Sequence, residues 1–239
     1  MSMKLHVAPP SPRAFKVLAV ARYLGLDFEL VPVELLNGAN QRPEFIALNP
    51  NKKMPVLEDD GFVLWESNAI TQYLATKTPE VGLLPSDPRR RADVSRWQFW
   101  ENAHWDPACS TLLFEHFVKT LFGQGDPDPA QITKGEEKVR RFGGVLNGWL
   151  AGRRYLCGDH LTLADFSVGA WLNYAPDPRV SRAQPLVRRI DGATGVARID
   201  RRSANLNPEG PECVFGTWSA GGEEIPRHHT PGTRRAVRA

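Results

Sequence analysis

Within the first 78 residues of this 239-residue chain, strand-like and helix-like signals alternate at short intervals set by proline and glycine. A compact α/β unit accommodates that order. Lys4 to Val7 reads as a short strand ended by Pro9-Pro10. Ser11-Pro12 predicts an N-cap followed by proline at the first helical position. The helix runs through Phe15, Val17, Leu18, Ala21, Tyr23 and Leu24, and Gly25 stops it. Phe28 to Val33 is strand-like, and Pro43 to Leu48 suits a short helix. Val56-Leu57-Glu58 and Phe62-Val63-Leu64 flank Asp59-Asp60-Gly61, the signature of a hairpin. A helix from about Ser67 to Thr76 follows, and Pro79 prevents it running on. The predicted order is β-α-β-α-β-β-α.

Thr78 to Pro88 is linker-like, with three prolines and Gly82. Beyond it the pattern is helical as far as residue 175. Arg89 to about Lys119 carries Val94, Trp97, Trp100, Leu112, Leu113, Phe117 and Val118, and Pro107 predicts a kink. Phe142, Leu146, Trp149 and Leu150 form the stripe of an amphipathic helix. Thr162-Leu163-Ala164-Asp165 is a capping-box variant that opens another helix through Phe166, Val168 and Trp171.

Composition changes after residue 175. Leu, Ile, Val and Phe are 48 of the first 175 residues (27%) but 11 of the last 64 (17%). Residues 176–239 hold 11 Arg against 7 acids, so this segment carries +4 of a chain whose net charge is +3. With seven Pro, seven Gly and no sustained period, it has little apolar surface to offset the entropy of ordering. Its arginines are dispersed rather than clustered, which argues against a nucleic-acid arm. The expectation for 176–239 is a disordered or aberrant tail.

Cys109, Cys157 and Cys213 are scattered, with no C-x-x-C, which disfavours a disulfide framework or structural zinc and fits a reducing, cytoplasmic setting. His104 and the His228-His229 pair lack ligand-spaced partners, so no metal is expected. The N-terminal segment has no apolar core of a secretory signal, and no run approaches the ~18 apolar residues of a membrane helix, so no membrane partner is expected.

Four motifs in order over roughly residues 3–175 carry a family resemblance: Ser11 in the first turn, Asn49-Pro50-x-x-Lys53-Met54-Pro55-Val56, Trp65-Glu66-Ser67-Asn68-Ala69-Ile70, and Leu161-Thr162-Leu163-Ala164-Asp165-Phe166. Together they resemble cytosolic glutathione S-transferases of the serine type, as in the bacterial, phi and theta classes. The resemblance implies a thioredoxin-like N-terminal domain (1–78) that binds glutathione. A linker (79–88), a helical-bundle C-terminal domain (89–175) that shapes the electrophile site, and the atypical tail (176–239) complete the expected organisation. It also implies glutathione as co-substrate, a small hydrophobic electrophile and a homodimer.

The chemistry follows from the residue types. A free thiol titrates near ~8.5 and is mostly protonated at neutral pH, so a site must favour the charged sulfur. Ser11 could donate its hydroxyl proton to the thiolate, helped by the positive end of the helix that starts at Pro12. The plainer reading is that Ser11 only caps that helix. Met54-Pro55 is a candidate cis peptide, a bend that in the family presents the backbone of residue 54 to the cysteinyl part of glutathione like an added strand. Ser67, at a helix N-terminus, would take the γ-glutamyl carboxylate, with Glu66 meeting its ammonium group. Lys53 would approach the glycyl carboxylate. Asn40 and Gln41 occupy positions where relatives often place basic or amide groups for the same carboxylate; they can donate but carry no charge.

The electrophile pocket is less legible. Trp97, Phe99, Trp100, His104, Trp105, Phe114 and Phe117 could line it, or belong to core or dimer interface. Cys109 and Cys157 read as small buried hydrophobes. The predicted function is conjugation of glutathione thiolate to soft electrophiles. A non-catalytic glutathione- or ligand-binding protein of the same fold is the alternative. The absence of cysteine before position 109 counts against a thiol-disulfide oxidoreductase. The tail's Arg, Ala, Gly and Pro bias is what a displaced reading frame in G+C-rich DNA would produce.

Overall fold

The computed structural model describes residues 3–8 and 11–172. The atypical segment 176–239, with Cys213 and the His228-His229 pair, lies outside the described residues, as does Pro9-Pro10. The chain opens with β1 (Lys4–Val7), α1 (Pro12–Tyr23) and β2 (Glu29–Pro32). Two short 3-10 turns, Leu35–Asn37 and Ala39–Gln41, lead into α2 (Pro43–Leu48). The hairpin β3 (Val56–Asp59) and β4 (Phe62–Trp65) then feeds α3 (Ser67–Thr76). The four strands form one sheet in the order β2-β1-β3-β4, with β1 and β2 parallel and the other pairs antiparallel. This is the thioredoxin-like arrangement expected of 1–78.

Side-chain alternation sets the layers. Leu5 and Val7 of β1 are fully buried in the same core cluster as α1 and as Ile70 and Leu74 of α3. His6 faces the other way, edge-on to Phe45 of α2 at 6.4 Å and 2.6 Å from Glu58 of β3. Under α2 a smaller cluster of Val33, Phe45 and Val56 packs with Met54 and holds the loops that precede β3. At about 1.5–3 kcal/mol for each fully buried large apolar side chain, these clusters fix which end of the sheet the loops occupy.

A 3-10 turn at Pro79–Val81 and Asp87, whose side chain accepts from the Arg90 amide at 2.9 Å, lead into α4 (Pro88–Trp100). The irregularity predicted at Pro107 takes the form of a π turn over Glu101–Trp105, before α5 (Asp106–Leu113). Pro107, just after this turn, has no amide to donate to the helical ladder, and within the turn the Asp106 amide donates to the carbonyl of Glu101, five residues back. A second π turn, Phe114–Val118, precedes α6 (Lys119–Leu121). Then come α7 (Pro129–Trp149) and α8 (Leu163–Leu172). All ten residues of α8 are buried, and its core side chains join the cluster that contains α1.

Asp165 locks the entry to α8. Its carboxylate accepts from the amides of Leu156 and Thr162, each at 2.8 Å, and from the Thr162 hydroxyl at 2.9 Å. The capping box is thus present, with threonine as the donor rather than the acceptor. No described helix is long and apolar enough to cross a membrane.

Candidate functional site

The sheet register gathers the predicted residues at one end. His6, Val56 and Trp65 lie across from one another on β1, β3 and β4. The chain therefore reaches Ser11 just after β1 ends, enters β3 through Met54-Pro55, and leaves β4 directly into Glu66 and Ser67. Three segments far apart in sequence converge there because the central strand pairs are antiparallel.

Ser11 occupies the N-cap position of α1, with extended backbone (φ −76°, ψ 133°). The expectation that it caps the helix holds for its position and fails for its side chain, which makes no capping hydrogen bond. Pro12 suits the first helical position, where an amide would have no partner within the helix; the amides a cap would serve, those of Arg13 and Ala14, make no bond to the Ser11 side chain. Ser11 is half-buried, and among the described residues its hydroxyl makes no capping bond that would occupy it.

The Met54–Pro55 peptide is cis. Met54 is half-buried and packs on the Phe45 cluster, while Pro55 is buried. Asn49 braces this turn: its amide donates to the Lys53 carbonyl at 2.6 Å, and its Oδ1 accepts from the Asn51 amide at 3.0 Å. Asn40 donates to the Lys52 carbonyl at 2.9 Å, which ties the Ala39–Gln41 turn to the same loop. The side chains of Lys53 and Gln41 are exposed, and no bond to the other candidates holds them.

Glu66 has φ of 72°, in the left-handed region that few non-glycine residues adopt. That conformation turns the chain sharply from β4 into α3. Glu66 itself is exposed, whereas Ser67 is buried. Ser67 is held from below: its hydroxyl oxygen accepts from the ammonium of Lys16 at 3.3 Å.

Lys16 belongs to a buried polar seam that the motifs do not reveal. Its ammonium also donates to Asn68 Oδ1 at 2.9 Å and pairs with Glu101 at 2.8 Å, both side chains of the pair being 1% exposed. Asn68 Nδ2 donates to Glu101 Oε2 at 3.0 Å and to the Gln98 carbonyl at 3.1 Å. The second oxygen of Glu101 accepts from the Trp171 indole at 3.0 Å, and Ser167 donates to Asn68 at 2.9 Å. The seam joins α1 and α3 to the first π turn and α8. Nearer the N-terminus of α1, Arg13 pairs with Asp106 and lies over the Trp171 ring at 5.3 Å. Burial pushes the Asp106 carboxyl up, and Arg13 opposes that push.

The aromatic candidates divide. Trp97 and Trp105 are buried, and with Trp100 they build a ladder onto Phe142 and Trp149 of α7, with centroids 5.1–6.1 Å apart. His104 stacks on Phe142 at 5.1 Å. These residues pack α4 and the first π turn against α7. Phe99 is 72% exposed and Phe114 is exposed, while Phe117 is half-buried. Cys109 is buried; Cys157 is half-buried, and burial pushes its thiol up to about 12, far from nucleophilic character. Among the described residues no three His, Cys, Asp or Glu side chains group as a metal site.

Comparison with known proteins follows the same outline. Residues 1–76 match the family model of the glutathione S-transferase N-terminal domain. Residues 107–188 match that of the C-terminal domain, a match that runs past the change in composition at 176. The chain is 40% identical over 185 residues to glutathione S-transferase 3 of Zea mays, covering 77% of this chain and 80% of that relative. A solved glutathione S-transferase of Pseudomonas fluorescens superposes with a TM-score of 0.74 at 30% identity, over 84% of this chain and all of that one. A glutathione S-transferase-I structure bound with lactoylglutathione superposes with a TM-score of 0.68 at 28% identity, over 80% of this chain and 93% of that one.

Proposed function

The chain belongs to the glutathione S-transferase family, and from that premise we propose that this glutathione transferase conjugates glutathione to soft electrophiles with Ser11 stabilising the thiolate. The observation that carries the reading is the Ser11 hydroxyl, placed at the mouth of α1 and not used to cap it. A hydroxyl there can donate its hydrogen to a sulfur anion, and the first turn of α1 adds the positive end of its dipole. Both favour the ionised thiol. The thiolate then supplies the electron pair for a new carbon–sulfur bond while the leaving group departs with its own pair.

In this reading residues 1–78 bind the tripeptide and residues 89–175, joined through 79–88, shape the electrophile side. The Met54 backbone beside cis Pro55 pairs with the cysteinyl part. Ser67 takes the γ-glutamyl carboxylate and Glu66 the ammonium group, with Lys53, Asn40 and Gln41 around the glycyl carboxylate. Exposure of Lys53 and Gln41 fits a role that begins only when the ligand arrives. A homodimer working in the cytoplasm is the form expected from the family.

Two measurements test this. Ser11→Ala removes one hydrogen bond to a charged atom, worth about 1.5–3 kcal/mol, so turnover should fall roughly 10- to 100-fold with glutathione affinity by calorimetry nearly unchanged. Full turnover in the alanine variant would remove Ser11 from the mechanism. Retention on a glutathione resin with no turnover across chemically diverse electrophiles would favour a binding protein instead.

A further inference from the structure

Arg13 and Lys16 stand one helical turn apart on α1, and both reach toward the helical part of the molecule. Their surroundings differ sharply: the Lys16 side chain is 1% exposed, the Arg13 side chain 42%. The polar seam is therefore sealed at Lys16 and opens at Arg13, two residues after Ser11. Among the described residues, the one hydrogen bond of the guanidinium runs from Nη2 to Asp106 Oδ1, and one of its faces lies over Trp171. An arginine has five N–H donors in a planar fork, and among the described residues only one of them is taken, on a side chain that is 42% exposed. Asp106 is a buried counter-ion that leaves the other donors uncovered.

The direction matters. Glutathione, bound as proposed above, lies against the sheet end formed by Met54, Glu66 and Ser67. A second reactant must approach the sulfur from the side this end does not cover. Arg13 extends from the helix that begins at Ser11 toward Asp106 of α5 and Trp171 of α8, in the helical part. Resting on the Ser11 reading, we propose that Arg13 is a specificity-determining residue that selects electrophiles bearing an anionic group, above all a carboxylate on an aromatic ring. A pre-positioned guanidinium binds a carboxylate through two parallel N–H···O bonds, which adds geometry to charge. Binding then orients the ring so that the carbon bearing the leaving group faces the thiolate. Displacement of chloride balances without further reagents: the sulfur's electron pair forms the carbon–sulfur bond and chloride leaves with the pair of the broken carbon–chlorine bond.

The test uses the full chain with 4-chloro-3,5-dinitrobenzoate and its neutral carboxamide, each rate divided by its uncatalysed reaction with glutathione. The carboxylate should be preferred at least about fivefold in kcat/KM. The preference should fall to about one in Arg13→Gln and in the pair Arg13→Gln/Asp106→Asn, which leaves no orphaned buried acid. A wild-type ratio near one, or a preference that survives in the double variant, overturns the role of Arg13. In those cases turnover that still depends on Ser11 leaves the thiolate reading standing. Turnover of both probes unaffected by Ser11→Ala, or no turnover of either, overturns the two together.

Discussion

Lys16 is a charged side chain inside a helix whose neighbours Phe15, Val17 and Leu18 are all buried. A buried ammonium survives only where it is paired and hydrogen-bonded, and Glu101, Asn68 and Ser67 meet that need. Removing one partner of such a pair strands the other. Lys16→Met should cost about 3–5 kcal/mol of stability in urea unfolding, and adding Glu101→Leu should recover most of it. A loss under 1 kcal/mol would show that Glu101 is held by other groups. Ser11 calls for a different measurement: in Ser11→Ala the pH at which bound glutathione ionises, read by thiolate absorbance, should move upward. These two residues also mark what was readable beforehand. The candidates named from motifs sit at one sheet end, because strand pairing follows from the hairpin and the β-α-β order. The seam was not readable, since Lys16 lies in an apolar run and its partners are up to 85 positions away. Sequence pattern reports the period of a helix, not the partner of one polar residue within it.

Among the elements, α8 depends on Asp165, whose carboxyl is raised by burial from an ordinary value of 3.8 to about 6 despite three donors. A carboxyl raised in the folded state contributes stability that is complete below about pH 4 and lost as pH rises through 6, on the order of 3 kcal/mol. The stability advantage of the native chain over Asp165→Asn should therefore shrink between pH 4 and 7. An advantage that grows over that range would mean the donors outweigh burial. On α7 three of its four glycines separate packing from propensity. A Cβ at Gly135 would lie 2.7 Å from Leu112 Cδ2, whereas Gly144 and Gly148 face open space. Alanine at either open position should stabilise by about 0.5–1 kcal/mol. At Gly135 it should destabilise by about 1 kcal/mol, since Leu112 must move; equal gains at all three would show that α5 yields freely. The strands and α3 match their sequence-based spans closely because turn residues bound them. The 3-10 turns at 35–41 and the second π turn carry no period of their own, and they went unpredicted, whereas Pro107 marked a break beside the first π turn.

At the scale of the molecule, the α/β and helical parts share one apolar cluster, and between them runs a line of buried and half-buried hydrogen bonds. The composition of 176–239 breaks with everything before it. If a displaced reading frame produced that segment, translating the coding DNA in its other frames will return an amphipathic helical sequence; finding none rejects the idea. The seam carries a practical corollary for shuffling halves between relatives. Apolar faces forgive exchange, but the acid at 101, the indole at 171 and the hydroxyl at 167 form a lock cut for Lys16 and Asn68. A chimera that inherits the key without the lock will bring together two sound halves that refuse to join.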